Sequence, residues 1–353
     1  MDYVPLGNTG LYVSRLCFGA MTFGDPDDPS HARVGNEGQE TANTMVETAL
    51  DAGINFFDTA NGYGGGTSEV MLGKALGKKR HDAIVATKLY FPMGSDVNQL
   101  GSSRLSVMRE VEDSLKRLGT DYIDLYQVHS WDESTPIQET MRALDDCVRQ
   151  GKVRYIGLSN FTAWQIAHAN GVAELLGTEK FCSIQAYYSL VGRELEWDIL
   201  PAARHLGLGT MIWSPLSAGF LTGKYSGKDA AEGRRSIMSF PPIDTDQGDR
   251  VVDVLKEIGS AHGVSPSQVA LSWLLHQDGV TSIIVGARKL YQLEDNLGAI
   301  NVKLSADELS RLNDVSAIAP KYPHFMPKLQ RGADLVAAIK HAEEVAKKNE
   351  EEN

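Results

Sequence analysis

Eight short, nearly continuous apolar runs recur along the chain: Arg15 to Phe18, Asn55 to Phe57, Ala83 to Thr87, Tyr122 to Gln127, Val153 to Leu158, Phe181 to Ile184, Gly209 to Trp213 and Val280 to Val285. They do not alternate apolar with polar, so each predicts a strand covered on both faces, as parallel strands are. Helical spacing fills the gaps. Leu105, Met108, Leu115 and Leu118, with Glu112 among them, predict one amphipathic face, and Ile137, Met141, Leu144 and Val148 predict the next. At Ser265-Pro266-Ser267-Gln268 a helix start is written out: Ser265 caps, Pro266 takes the first turn where its missing N–H costs nothing, and Gln268 reaches back.

Eight strands alternating with helices predict an α/β fold of the (β/α)8 TIM-barrel type, occupying residues 1–327 as one domain. Two α/β domains meeting near Gly177 are the alternative. Ahead of the barrel, Tyr3 to Leu6 and Leu11 to Ser14 flank Gly7-Asn8-Thr9-Gly10 and predict a β-hairpin. Three segments break the rhythm. Asp25 to Gly38 is a polar insertion, and Ser217 to Asp249 is a long loop of the kind that forms lids or binding elements. Residues 328–353 carry Leu335, Ile339, Ala342 and Ala346 at helical spacing and predict extra helix beyond the barrel.

The net charge of −12 disfavours phosphate backbones, so nucleic acid is not an expected partner. No apolar run approaches the ~20 residues of a membrane helix, and the N-terminus lacks a secretory pattern, which predicts a cytoplasmic protein without a membrane role. Cys17, Cys147 and Cys182 are widely spaced among apolar neighbours and read as reduced thiols. The histidines form no His-Glu-x-x-His or comparable cluster, so no metal is expected. A homo-oligomer is compatible with this composition but not predicted by it.

In a parallel barrel the carboxyl ends of the strands share one face, where sites are built. Those ends carry Asp58, Lys88, His129, Ser159 with Asn160, Gln185, Ser214 and Gly286, and a Gly-rich loop after Asp58 presents Tyr63. A free phenol titrates near ~10 and is a poor acid at neutral pH unless a cation favours the phenolate. Lys88 would be that cation, Asp58 would keep it charged, and His129 would steer a carbonyl oxygen towards the phenol. The plain alternative is a structural salt bridge with a core histidine beside it.

Further stretches extend the pattern: Phe57-Asp58-Thr59-Ala60-x-x-Tyr63-Gly64 with Ser68-Glu69, Ala86-Thr87-Lys88, Asp121-Tyr122-Ile123-Asp124-Leu125-Tyr126-x-x-His129, Gly151-Lys152-Val153-Arg154-x-Ile156-Gly157-x-Ser159-Asn160, Trp213-Ser214-Pro215-Leu216, and Gly286-Ala287-Arg288 with Gln292 and Asn296. Through these motifs, from about Leu6 to Ser316, the chain resembles the aldo-keto reductases. Trp213 is similar to the branch that includes bacterial reductases and potassium-channel β subunits. The tail lies outside the resemblance, and the Asp25 to Gly38 insertion is longer than the family's usual one.

The resemblance implies an NAD(P)H-dependent reductase of small-molecule aldehydes or ketones, with Tyr63 as general acid, Lys88 and Asp58 tuning it, and His129 orienting substrate. It implies that Ser159, Asn160 and Gln185 meet the nicotinamide carboxamide, that Trp213 stacks beneath the ring, and that Gly19, Ala20 and Met21 touch it. Ser214, Pro215, Leu216, Gly219 and Lys224 would line the pyrophosphate, with Arg234 closing over it. Gly286, Arg288, Gln292, Asp295 and Asn296 match the adenosine end. There an arginine suits a 2'-phosphate, which favours NADPH; were Arg288 only a solvated helix-start cation, NADH would serve as well. Tyr90, Phe91, Trp131, Phe240 and Phe325 suggest an aromatic mouth for bulky carbonyl substrates, with Tyr90 and Trp131 as the substrate contacts. The same branch supplies an alternative, a cofactor-sensing regulatory subunit with slow residual turnover.

Overall fold

The computed structural model describes residues 1–28, 34–225, 235, 239–326 and 340. It divides into two units, Met1–Ala317 and Ile318–Asn353. In the first, eight parallel strands close into a barrel in chain order: β3 (Leu16–Gly19), β4 (Phe56–Asp58), β5 (Ile84–Leu89), β6 (Ile123–Val128), β7 (Val153–Ser159), β8 (Ser183–Tyr187), β9 (Gly209–Trp213) and β10 (Ser282–Val285), with β10 pairing back onto β3. The predicted (β/α)8 fold is therefore observed. One sheet runs through both sides of Gly177, which excludes the two-domain alternative.

Around the barrel lie α1 (Gln39–Asp51), α2 (Thr67–Leu76), α3 (Arg104–Leu118), α4 (Ile137–Arg149), α5 (Ala163–Leu176), α6 (Ile199–Leu206), α7 (Thr245–His262), α8 (Pro266–Leu275), α9 (Leu290–Leu297) and α10 (Ala306–Val315). Two helix details differ from expectation. On α3, Leu105 is 51% exposed, and the buried stripe is Val107, Val111, Leu115 and Leu118. Glu110 is also buried on that helix because Asn61 and Arg117 supply its partners. Ser265 caps α8 as its sequence predicts, but Gln268 does not reach back: its Nε2 donates to Asp295 Oδ1 at 2.9 Å. A charged acceptor held by a neighbouring helix outbids a local backbone N–H.

The hairpin β1 (Tyr3–Pro5) and β2 (Tyr12–Ser14) seals the amino-terminal end of the barrel. Its Leu6 and Val13 are fully buried against Cys17, Phe56, Ala86, Leu125, Met211 and Ile284. Gly7 adopts φ +60, and an added Cβ would come within 2.5 Å of Gly207 O, so only glycine fits this wedge.

Side chains alternate along a strand. Two residues beyond that apolar layer, on the same inward face, come Gly19, Asp58, Lys88, Gln127, Trp213 and Gly286. On β4, β5 and β6, period two thus sets Asp58, Lys88 and Gln127 one step beyond the apolar floor.

Of the second unit, the rings of Tyr322 and Phe325 lie 6.1 Å apart. Apart from Lys340, the predicted helical extension at 328–353 falls outside the described residues, as does Arg234.

Candidate active site

The geometry brings Asp58, Tyr63, Lys88 and His129 together. Lys88 is 0% exposed, and its Nζ donates to Asp58 Oδ2 at 2.7 Å, to Thr59 O at 2.8 Å and to the Tyr63 hydroxyl at 3.4 Å. Burial alone would lower its pKa, but the Asp58 carboxylate and Tyr63 outweigh burial and hold the ammonium above its ordinary value. Lys88 therefore stays charged at neutral pH.

Tyr63 opens a turn over Tyr63–Gly66 in which Gly64, Gly65 and Gly66 take φ of +57, +59 and +97. Three successive left-handed residues explain the glycine run, which L side chains would strain. The turn swings the phenol back over the barrel, with its ring centroid 5.8 Å from that of His129. Burial first, and the Lys88 charge second, hold the His129 imidazole well below its ordinary value, so it is neutral at pH 7. Its Nδ1 has no partner among the described residues, and Phe91 packs edge-on at 4.6 Å.

Sequence reasoning missed two supports. Asp58 Oδ1 accepts from Gln127 Nε2 at 3.2 Å and from Gln185 Nε2 at 2.8 Å. Gln127 pairs with Lys88 in the strand register, and its polar side chain two positions past Leu125, on the same face of the strand, was the available signal. Behind the loop, buried Glu69 accepts from Thr87 Oγ1 and from Arg117 Nε, both at 2.5 Å. Arg117 also lies 3.7 Å from Glu110, which accepts from Asn61 Nδ2 at 3.0 Å. This network ties β5, α2 and α3 to the loop that carries Tyr63.

The other expected site residues among those described lie at or after the carboxyl ends of the strands. Ser159 Oγ donates to Gln185 O at 3.0 Å. The Asn160 amide bridges two predicted neighbours: Nδ2 donates to His129 O, and Oδ1 accepts from Trp213 Nε1, each at 3.0 Å. Trp213 lies beside Tyr187 at 5.0 Å and stacks on Phe240 at 5.7 Å. Gly19 and Ala20 sit where β3 ends, with Ala20 N donating to Asp58 O at 2.8 Å, and Met21 follows half-buried. Beyond β9, Pro215 is buried, Leu216 is half-buried, and Lys224 lies exposed above Gly219. Arg235 donates to Pro241 O at 2.8 Å within the long loop.

After β10, Gly286 is exposed and Gln292 Oε1 accepts from the backbone N–H groups of Arg288 and Lys289 at 2.9 and 3.2 Å. Asn296 is buried on α9, and Asp295 Oδ2 accepts from Ser265 Oγ at 2.7 Å. Tyr90 follows β5, half-buried beside Phe91. Trp131 packs against Phe161 and Trp164, so much of its ring is occupied by packing.

Backbone strain marks this face independently. Among the described residues, the non-glycine residues with positive φ are Tyr90, Asn160, Ser214, Ser217 and Ala218, and each follows the carboxyl end of β5, β7 or β9. Such conformations persist where the surroundings over-determine them, and they cluster at functional sites.

Among the described residues, no helix is long and apolar enough to cross a membrane. The aldo/keto reductase family model matches residues 15–317. The chain is 40% identical to the uncharacterized oxidoreductase YrpG of Bacillus subtilis, over 89% of this chain and 96% of that protein. It is 36% identical to a probable voltage-gated potassium channel subunit beta of Oryza sativa subsp. japonica, over 91% and 98%. To the versiconal hemiacetal acetate reductase of Aspergillus parasiticus it is 32% identical, over 89% and 96%. With its barrel, its rim of Asp58, Tyr63, Lys88 and His129, and matches spanning nearly all of it, this oxidoreductase chain belongs to the aldo/keto reductase family.

Proposed function

We propose that the protein is an NADPH-dependent carbonyl reductase that converts an aldehyde or ketone to the alcohol, reversibly, with Tyr63 supplying the proton. The observation that carries this reading is the fully buried Lys88 ammonium, held between Asp58 Oδ2 at 2.7 Å and the Tyr63 hydroxyl at 3.4 Å. An ammonium so placed favours the phenolate and eases proton transfer to a developing alkoxide. Asp58 keeps Lys88 charged while taking no part in the transfer. Neutral His129 gives an N–H to the carbonyl oxygen without competing as the acid, and its tautomer is left for the ligand to set.

The residues present fit a dinucleotide cofactor. Lys224 and Arg288 offer exposed cations for its phosphates, and the positive-φ segment from Ser214 to Gly223 curves the backbone at the mouth. When bound, the reduced nicotinamide supplies hydride to the carbonyl carbon. Ser159 and Gln185 have committed their donors to Gln185 O and Asp58, so they meet the carboxamide NH2 as acceptors. The Arg288–Lys289 pair supports NADPH over NADH, because a 2'-phosphate returns charge-assisted bonds that a hydroxyl cannot. Phe91 beside His129, with Tyr90, Trp131 and Phe240, supports aromatic or bulky alicyclic substrates.

The test is reduction of 4-nitrobenzaldehyde with NADPH, followed by nicotinamide absorbance. Tyr63→Phe is expected to lower kcat by about 10²–10⁴-fold while NADPH binding stays nearly unchanged. Undiminished turnover in that variant would reject Tyr63 as the acid. The likeness to a probable channel β subunit supports a second reading, a cofactor sensor. Multiple rapid turnovers speak for the enzyme, and a single slow oxidation of bound cofactor speaks for the sensor.

A further inference from the structure

The polar insertion after β3 is fastened to the strand ends at Glu37. Glu37 forms a parallel bridge with Phe23; its N–H donates to Thr22 O at 3.0 Å, and its carbonyl accepts from Gly24 N at 3.3 Å. Thr22 Oγ1 in turn donates to Ala287 O at 2.9 Å, which fastens this loop to the turn after β10. The Glu37 side chain, only 12% exposed, spans that junction. Oε1 lies 3.5 Å from Arg288 Nε, and Oε2 lies 3.8 Å from Lys289 Nζ. Arg288 and Lys289 are 47% and 64% exposed, and the three residues border an open cleft of about 370 Å³ between the start of α1 and α9.

A carboxylate on these two cations already supplies one of the negative charges a phosphate would bring. A phosphate monoester carries about −1.5 to −2 charge and must displace Glu37 or sit against it. A ribose hydroxyl, by contrast, can donate to the carboxylate, the role an acidic residue plays towards NAD. Arg288 and Glu37 therefore act on one position with opposite preferences.

We propose that Glu37 is a specificity-determining residue, which opposes Arg288 by penalising a 2'-phosphate and accepting from a 2'-hydroxyl, and so brings NADPH and NADH closer in affinity. This rests on the reading above that the adenosine end lies at Gly286 to Asn296.

The experiment measures binding of NADPH, NADH, 2',5'-ADP and 5'-AMP to the full chain and to Glu37→Gln, Arg288→Gln and the double variant. Glu37→Gln is expected to bind NADPH and 2',5'-ADP about three- to tenfold tighter. The same variant is expected to bind NADH and 5'-AMP about two- to threefold more weakly. In the Arg288→Gln background the gain for NADPH should largely vanish. Glu37→Asp, which keeps the charge but shortens its reach, should give an intermediate ratio, and thermal melts check that each variant folds. Equal change for both cofactors, or none, overturns the role of Glu37. If Arg288→Gln weakens NADPH selectively while Glu37→Gln leaves the ratio unmoved, only Glu37 falls; if Arg288→Gln has no effect on either cofactor, the adenosine-end reading falls with it.

Discussion

Two carboxylate–cation pairs sit on the same face of this barrel in opposite surroundings. Asp58 and Lys88 meet at 2.7 Å with 4% and 0% of their side chains exposed, and Asp58 has further donors in Gln127 and Gln185. Glu37 and Arg288 meet at 3.5 Å beside an open cleft, with the cation 47% exposed. A desolvated pair is expensive to break, because the remaining charge is stranded. A solvated pair exchanges partners readily, since water compensates either ion. The barrel thus fixes the groups assigned to proton transfer and leaves adjustable the groups assigned to cofactor choice.

The largest effect should come from breaking the buried pair. Asp58→Ala strands the Lys88 ammonium and is expected to destabilise the fold by about 3–5 kcal/mol, measured by urea denaturation. Removing the charge of Glu37, whose partner Arg288 stays solvated, with Glu37→Gln should change stability by no more than about 1 kcal/mol. Similar losses in the two variants would erase the contrast.

A pH series sharpens it. The folded His129 has a lowered pKa, while in the unfolded chain it titrates near about 6.5. As pH falls, the unfolded chain binds this proton first. The contribution is therefore full above about 6.5 and is lost as pH drops below that value towards the folded pKa. His129→Gln should flatten urea midpoints between about pH 7 and 5 relative to the parent. An unchanged slope would mean that other groups govern acid sensitivity.

The smallest effect belongs to Lys224, exposed on the loop after β9. Lys224→Ala should leave the melting temperature in place and weaken NADPH binding by a few-fold at low salt, less at high salt, because screening already suppresses a solvated cation. A loss of stability would show that Lys224 belongs to the packed region instead.

Much of this architecture was legible in the chain because buried parallel strands leave near-continuous apolar runs. The limits of those runs slid, and the reason is tertiary. The second and third runs were expected to stop at Phe57 and Thr87, yet Asp58 and Lys88 pair within the ladder, against Gly19 and Gln127. Each satisfies the other's charge inside the sheet, so Asp58 is the last residue of β4 and β5 runs past Lys88 to Leu89. Arg15 begins no strand; its guanidinium donates to the carbonyls of Leu275, Val280 and Thr281 at the barrel's closed end.

Strand-end residues could be read because topology gathers them at one face. Glu37 could not, since 251 positions separate it from Arg288 and its neighbours look like ordinary polar loop. Nor could the bridge that Asn160 makes between His129 and Trp213, which depends on its left-handed backbone.

The hairpin at the amino-terminal end makes the barrel a blind well. Leu6 and the wedge at Gly7 stopper one opening, and an apolar layer of Cys17, Phe56, Ala86, Leu125, Met211 and Ile284 packs above them. On the function proposed above, a reactant would therefore reach Lys88 and Tyr63 from the carboxyl side alone. A short stretch of chain far from the rim thus helps to decide which side of the barrel is open to chemistry.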